Sequence, residues 1–356
     1  MTLIIAEAGV NHNGNKRLAF ELIDAAVDAG ADIIKFQTFK AKHLVAKHAK
    51  KADYQIKNSQ YEESQFDMLS RLELPFDTHF ELVEYCNKLG IEFLSTAFDQ
   101  ESLKFLVDEL KIKRLKLPSG ELTNSPLVLE HARTNCDLIV STGMASLAEI
   151  EEALGIIAYG YLSKISQSPS RDLFKHAYCS AEGQQILRDK VSILHCTTEY
   201  PAPLDEINLN VIDALKTTFG LRVGYSDHTE GVFTPIAAVA KGATIIEKHF
   251  TLDKSLDGPD HKASLEPHEL NSMIRGIREL EISLGTTVKF PTVSEVKNKI
   301  IARKSLVASR DIKKGEIFDE TNLAIKRPGY GIEPIQYWSK LGETATQSYK
   351  EDDLII

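Results

Sequence analysis

The chain has 356 residues, 43% hydrophobic and 26% charged, an ordinary globular composition that excludes a disordered or fibrous protein and leaves room for one large domain and one small one. Its net charge is −9 and no long basic run occurs, which argues against nucleic acid or an anionic membrane as a partner. No apolar run approaches the ~20 residues that span a bilayer, and the first residues lack the basic leader and long apolar stretch of a secretion signal.

Cys86, Cys136, Cys179 and Cys196 are scattered without metal-like pairing, so small buried thiols in a reducing cytoplasm are expected.

From the N-terminus to about residue 285, short β-branched runs alternate with amphipathic helical stretches. Strands are predicted at 3–7, 32–37, 92–96, 114–117, 137–141, 191–196, 221–226 and 244–249. Helical patterns fill the gaps, among them 16–29, 80–89, 100–110, 147–159 and 232–241. Eight such units in series predict a (β/α)8 TIM barrel over residues 1–285, since a doubly wound sheet usually stops earlier. Two segments break the rhythm. Residues 38–77 follow a strand and belong to the catalytic face, whereas 160–190 precede one and are expected as a solvated insertion at the opposite end. A polar linker is predicted at 286–300, followed by a small β-rich domain over 301–356 with short strand-like pieces at 304–309, 312–316 and 324–327.

Barrel enzymes carry their chemistry at the C-terminal ends of the strands. In chain order those ends hold Glu7, then Lys35 and Gln37, Ser95 and Thr96, and Lys116 with Ser119-Gly120-Glu121 just beyond. Ser141-Thr142-Gly143, Tyr200 in the loop after the sixth strand, Ser226-Asp227-His228 and Glu247-Lys248-His249 follow, with His195 inside the sixth strand. Burying this many polar groups costs free energy unless they are paired or occupied, so their convergence points to a site.

His228 and His249 end adjacent strands, where two imidazoles reach one metal ion and leave positions for water or substrate. Asp227, Glu230, Glu247 and Asp260 supply carboxylates able to orient them. Such a donor set suits a divalent ion of octahedral habit, manganese first and magnesium or cobalt as alternatives, better than structural zinc. Lys35 and Lys116, with the hydroxyls of Ser119, Ser141 and Ser226, can hold one phosphate and one carboxylate of a small molecule. Glu7 and Glu121 are candidate acid/base groups, and Asp260 in the loop after the eighth strand can contact a hydroxylated substrate.

The strings Ile5-Ala6-Glu7-Ala8-Gly9-Val10-Asn11-His12-Asn13-Gly14, Lys35-Phe36-Gln37-Thr38, Pro118-Ser119-Gly120-Glu121, Ser141-Thr142-Gly143-Met144, Tyr225-Ser226-Asp227-His228-Thr229, Glu247-Lys248-His249-Phe250 and Gly258-Pro259-Asp260-His261 resemble the bacterial sialic acid synthase family. The tail, with Lys326-Arg327-Pro328-Gly329, resembles the antifreeze-like SAF domain that ends those enzymes. The resemblance implies a reaction in which phosphoenolpyruvate adds to the aldehyde of an open-chain N-acylated mannosamine-type sugar and phosphate leaves after water adds. It implies phosphoenolpyruvate contacts from Lys35, Thr96, Lys116, Ser119, Ser141 and Ser226, and catalytic roles for Glu7, Lys116, Glu121 and Asp260. Gln37, Tyr200, Asp260 and Arg327 would surround the sugar, and His228 and His249 would bind manganese. Arg327 would act in a partner's site, through a homodimer that exchanges its small domains. Thr198 occupies a position where some members carry Asn.

Two readings from other classes are weighed against this one. A Schiff-base barrel aldolase would use Lys35 or Lys116 as the amine, and a non-catalytic carbohydrate-binding or ice-binding protein is suggested by the tail alone. Within the synthase reading, residues 197–203 and 258–264 look most like N,N'-diacetyllegionaminate synthases, which use 2,4-diacetamido-2,4,6-trideoxymannose. N-acetylneuraminate synthases, which use N-acetylmannosamine, are the alternative.

Overall fold

The β-branched runs form eight parallel strands that close on themselves in chain order, with the last pairing back to the first. They are β1 (Leu3–Gly9), β2 (Ile33–Thr38), β3 (Glu92–Ala97), β4 (Arg114–Leu117), β5 (Asp137–Ser141), β6 (Val191–Cys196), β7 (Arg222–Asp227) and β8 (Ile245–His249). This computed structural model describes residues 1–58, 63–163 and 168–356. Residues 59–62 and 164–167, parts of the two segments that break the rhythm, lie outside the described residues.

Helices follow the strands as the periodicity predicts. The first, α1 (Lys16–Ala29), begins where the Asn15 side chain accepts from Arg17 N and stops at Gly30, whose φ of 84° is a conformation glycine adopts without strain. Next come α2 (Ala41–Leu44), α3 (Asp53–Asn58), α4 (Gln65–Leu72), α5 (Phe76–Leu89), α6 (Gln100–Lys104) and α7 (Ser125–Arg133). The predicted helix at 100–110 is α6 continued by a π-helical turn, Phe105–Glu109. The remaining helices of this unit are α8 (Leu147–Leu162), α9 (Arg171–Cys179), α10 (Ala181–Lys190), α11 (Val211–Phe219), α12 (Phe233–Ala240) and α13 (Pro267–Leu284). A capping box between Ser146 and Glu149 opens α8.

Strand periodicity of two sorts the side chains into layers. Inside the barrel Ile5, Ile33, Leu94, Ile139, Leu194 and Ile245 form an apolar plug. Gly224 completes that layer, because a Cβ there would lie 2.5 Å from Leu194 Cδ2 and 2.6 Å from Ile245 O. Two residues further along, the same inward face carries Glu7, Lys35, Thr96, Ser141, Cys196, Ser226 and Glu247. The outward face, including Ile4, Ile34, Phe36, Leu115 and Val140, packs with the helices in the main core.

The segment 38–77 is more than a polar excursion. It folds into α2, α3, α4 and the start of α5, and its apolar side chains Phe39, Met68 and Leu72 join Val10 in a cluster separate from the main core. Residues 160–190 also depart from expectation. Residues 160–162 end α8, and 171–190 form α9 and α10, which pack on α8 along one face and leave about half of their residues exposed to solvent. Gly155 lets the backbone of Phe174 approach, and the Phe174 ring lies 5.2 Å from that of Tyr159.

The chain divides into two compact units, Met1–Gly285 and Thr286–Ile356. In the second, α14 (Val293–Ala302) occupies much of the predicted linker, opened by a capping box between Thr292 and Glu295. Then β9 (Ser305–Ala308) pairs antiparallel with β10 (Leu323–Lys326). Residues 312–316, expected as a strand, make only an isolated bridge through Ile312 to Tyr349. The core of this unit is small: Leu306, Ala308, Ile312, Phe318, Leu323, Ala345, Tyr349 and Ile355. Among the described residues no helix is long and apolar enough to cross a membrane.

Candidate active site

A cavity of about 380 Å3 opens at the C-terminal ends of the strands. Its floor is the polar layer of the barrel. Lys116 Nζ on β4 donates to both carboxylate oxygens of Glu247 on β8, at 2.6 and 2.8 Å. Lys35 Nζ on β2 lies 2.9 Å from Glu7 Oε2 and 3.5 Å from Glu247 Oε2, and donates to Thr96 Oγ1 at 3.0 Å. Ser226 Oγ donates to Glu247 Oε1 at 2.8 Å. All four charged groups are buried, so two lysines and two glutamates form a closed set of balanced charge in which removal of any member leaves an uncompensated ion.

The two carboxylates differ. Burial pushes Glu7 up to about 7 even with Lys35 beside it. Burial also works against ionisation of Glu247, but Lys116 and Lys35 outweigh it and hold that carboxyl well below the usual range. Glu247 is therefore the fixed anion and Glu7 the group able to exchange a proton near neutrality.

Beside the lysines lies a cluster of hydroxyls at the ends of β4, β5 and β6. Gly143 N donates to Ser119 Oγ at 2.9 Å. A Cβ on Gly143 would lie 2.4 Å from Thr198 Oγ1, 2.7 Å from Cys196 Sγ and 2.8 Å from Ser119 Oγ, so only glycine lets these groups converge. Ser141 Oγ and Thr198 Oγ1 are buried and have no hydrogen-bond partner among the described residues, which costs free energy until an acceptor arrives. Lys116 with these hydroxyls makes a cradle for an anion.

Above the floor stand the histidines, with rings 5.5 Å apart. His228 Nδ1 pairs with Thr197 O at 2.6 Å, which leaves Nε2 its lone pair. His249 Nδ1 is buried without a hydrogen-bond partner, 3.7 Å from Asp260 Oδ2. Burial lowers His228 to about 4, and burial with His228 beside it holds His249 well below its ordinary value, so both rings are neutral and fit to ligate. Asp260 is pushed up to about 6 by burial. Among the described residues no group of three His, Cys, Asp or Glu donors is placed to hold a metal. The pair fits an ion that takes its other ligands from water and substrate oxygens, as manganese or magnesium does, and fits closed tetrahedral zinc poorly.

The strands bearing the histidines are pinned from outside the barrel. Asp227 and Lys248 face each other across β7 and β8, with Lys248 Nζ 2.6 Å from Asp227 Oδ2, and Tyr225 OH donates to Asp227 Oδ1 at 2.9 Å. Asp227 thus serves the strand pair and is not a hydrogen-bond partner of His228. The Tyr200 ring covers His228 at 4.1 Å and stands 5.6 Å from His249. The ring of Tyr54 from α3 lies tilted against that of Tyr200, at 4.9 Å.

Most of the residues singled out from the sequence meet in this cavity: Glu7, Lys35, Gln37, Thr96, Lys116, Ser119, Glu121, Ser141, Tyr200, Ser226, His228, His249 and Asp260. Glu121 sits at the rim, where Asn124 Nδ2 donates to it at 2.6 Å. Arg327 belongs to the second unit, where it is exposed and its Nε donates to Ala302 O at 3.0 Å. His195 faces away from the barrel interior and pairs through Nε2 with Ile207 O at 2.6 Å, a structural role. Asn11 likewise ties β1 to the loop after β8, donating to Phe250 O and Ser264 Oγ. One cysteine departs from the buried-thiol expectation, since Cys179 is exposed, whereas Cys196 is buried and also lines the cavity.

Sequence reasoning treated Glu247 as a carboxylate near the histidines, yet it is the hub of the floor. Its signal was the strand period: if His249 points inward, so does Glu247. The contributions of Tyr54, Gln55, Gln65 and Leu69 to the lining had no such signal, because they come from the helices of 38–77.

The chain resembles known proteins over nearly all of its length. The chain is 51% identical over 354 residues, 99% of this chain and 98% of the relative, to the N,N'-diacetyllegionaminic acid synthase of Campylobacter jejuni. To the protein of the same name from Legionella pneumophila it is 43% identical, over 95% of this chain and 89% of that one. Among solved structures, the N-acetylneuraminic acid synthetase of Leptospira borgpetersenii in complex with citrate superposes with a TM-score of 0.66 at 31% identity, covering 83% of this chain and 90% of that one. Residues 303–355 match the SAF domain. With residues 22–289 matching its family model and the polar mouth of the barrel in place, this chain belongs to the NeuB family.

Proposed function

We propose that the chain condenses phosphoenolpyruvate with an open-chain N-acylated mannosamine-type sugar, and that its sugar is 2,4-diacetamido-2,4,6-trideoxymannose. The observation that carries this reading is the floor: two buried lysines beside the unpartnered hydroxyls of Ser141 and Thr198, with a neutral histidine pair directly above. Phosphoenolpyruvate offers a phosphate and a carboxylate. Lys116, Ser119, Ser141, Thr198 and Ser226 suit the phosphate, and Lys35 with Thr96 suits the carboxylate. The lean toward the diacetamido sugar is supported by the relatives of 51% and 43% identity.

In the proposed reaction C3 of phosphoenolpyruvate bonds to the aldehyde carbon, and the aldehyde oxygen takes a proton from Asp260 to become a hydroxyl. Water adds at C2 and gives its proton to Glu7. The tetrahedral carbon then loses inorganic phosphate by C–O cleavage as its C2 hydroxyl becomes the ketone and passes its proton to the departing phosphate, leaving a 2-keto-3-deoxy nine-carbon acid. A divalent ion, manganese by preference, supplies Lewis-acid polarisation of the aldehyde when held by His228 and His249. Gln37, Tyr200 and Glu121 line the sugar's side of the cavity.

We also place the site in a homodimer that exchanges its second units, with Arg327 reaching the partner's sugar. Exposed apolar side chains support this on each unit taken alone: Met144, Leu147, Leu204 and Phe233 on loops and helix starts around the mouth, and Val293, Tyr330, Ile335 and Trp338 on the second unit. The absence of disulfides among four free cysteines suits a cytoplasmic location.

Phosphate release tests the reading. The purified protein should release phosphate from phosphoenolpyruvate only when a sugar and a divalent ion are both present, with a higher kcat/KM for the diacetamido sugar than for N-acetylmannosamine. Release without sugar would exclude the condensation, and a preference for N-acetylmannosamine would overturn the sugar assignment.

A further inference from the structure

The cavity has two kinds of surface. Besides the polar floor, the lining includes an apolar wall of Val10, Leu44, Val45, Met68, Leu69 and Leu72. Met68 and Leu72 are fully buried and anchor the wall in the separate cluster with Val10 and Phe39, whereas Leu44, Val45 and Leu69 are only partly buried. Two side-chain amides accompany them. Gln55 is buried, its Oε1 accepts from Ala52 N at 2.9 Å, and it lines the cavity together with Gln65.

The wall is connected to the reacting end. Tyr54, the neighbour of Gln55 on α3, lies against Tyr200, which covers His228. A sugar whose aldehyde faces the histidines therefore runs along Tyr200 and Tyr54, and its C4 to C6 end arrives at the apolar wall. What meets the wall there differs between the two sugars. The diacetamido sugar brings a C6 methyl and an acetamido methyl, with an amide that Gln55 or Gln65 can pair. N-acetylmannosamine brings hydroxyls at C4 and C6; a glutamine can pair one of them, but burying the other against Val45 and Leu69 costs free energy. One methyl in an apolar pocket is worth about 1–3 kcal/mol of discrimination, or roughly 10- to 200-fold.

We infer that the wall formed by Leu44, Val45, Met68, Leu69 and Leu72, with Gln55 and Gln65 beside it, is the specificity-determining face of this enzyme, selecting a sugar that is deoxygenated and acylated at its C4 to C6 end. The inference rests on the condensation proposed above. Its test is the ratio of kcat/KM for the two sugars, measured by phosphate release for the full chain, Val45→Thr and Leu69→Asn. Val45→Thr keeps volume and adds one hydroxyl, so it remains informative even if Leu69→Asn fails to fold.

Each variant should lower the ratio of diacetamido sugar to N-acetylmannosamine about tenfold, with the KM for phosphoenolpyruvate moving less than twofold. A parent protein active on the diacetamido sugar whose ratio is unchanged in Val45→Thr, or whose two activities fall in equal measure, overturns the inference and leaves the condensation standing. A parent protein inactive on both sugars overturns the condensation itself, and the inference with it.

Discussion

The floor and the apolar wall of one cavity are built by opposite rules. The floor comes from strand ends, where eight of the barrel's inward side chains, Lys116 among them, reach one layer and two lysines pair with two carboxyl groups at hydrogen-bond distance. The wall comes from short helices of a single insertion, held by a small apolar cluster of its own. A floor of this kind tolerates little change, because each charge is the counter-ion of another. The wall can change one side chain at a time. Chemistry common to a family belongs on the first and choice of substrate on the second.

The comparison is most severely tested at Lys116. Lys116→Met should reduce kcat/KM by at least about a thousandfold for every sugar alike, and should lower Tm, since removing one member of a buried ion pair costs about 3–5 kcal/mol. Phosphate release with both sugars and a thermal melt measure the two effects. A loss confined to one sugar would move Lys116 from the floor's role to the wall's.

A smaller effect is expected from a residue on neither surface. Arg327→Ala should raise the sugar KM roughly tenfold or more, as the loss of a charged hydrogen bond would, while the KM for phosphoenolpyruvate stays near that of the parent. Steady-state kinetics with each substrate varied in turn separate these outcomes, and an unchanged sugar KM would remove Arg327 from the site.

An effect on stability alone, with no change in catalysis, concerns the scaffold. Burial lowers His131 on α7 and His79 on α5 to about 4 in each case, from an ordinary value of 6.5. With the folded value depressed, the unfolded chain binds the extra proton between pH 6.5 and 4. Stability contributed by these neutral rings is present above pH 6.5 and is lost as pH falls toward 4, by roughly 3 kcal/mol for each ring. Melting curves from pH 7 to pH 4.5 should show Tm falling, and His131→Asn should flatten part of that slope. An equal slope in that variant would assign the acid sensitivity elsewhere, to the floor first.

Much of the floor is legible from residue order alone. Strand, helix and strand alternate eight times, each strand shows which residues share its inward face, and barrels place chemistry at one end. Lys35, Lys116, His228 and His249 follow from that reasoning without coordinates. Glu247 was within its reach, two residues before His249 on the same face, but a carboxylate beside histidines reads first as their orienting partner. Only the closed barrel brings it within 2.6 Å of Lys116, on a strand four places away in the ring.

The sequence by itself determined the barrel, the ring of polar strand ends and the presence of a second small unit, because these follow from local periodicity and chain order. Tertiary structure alone decided which charges neutralise which, because that pairing joins residues more than a hundred positions apart across the barrel interior. It also decided that Leu44, Val45, Met68, Leu69 and Leu72 line the cavity. Helices of four to eight residues are too short to be stable alone, so their existence and their facing are set by the surface on which they dock.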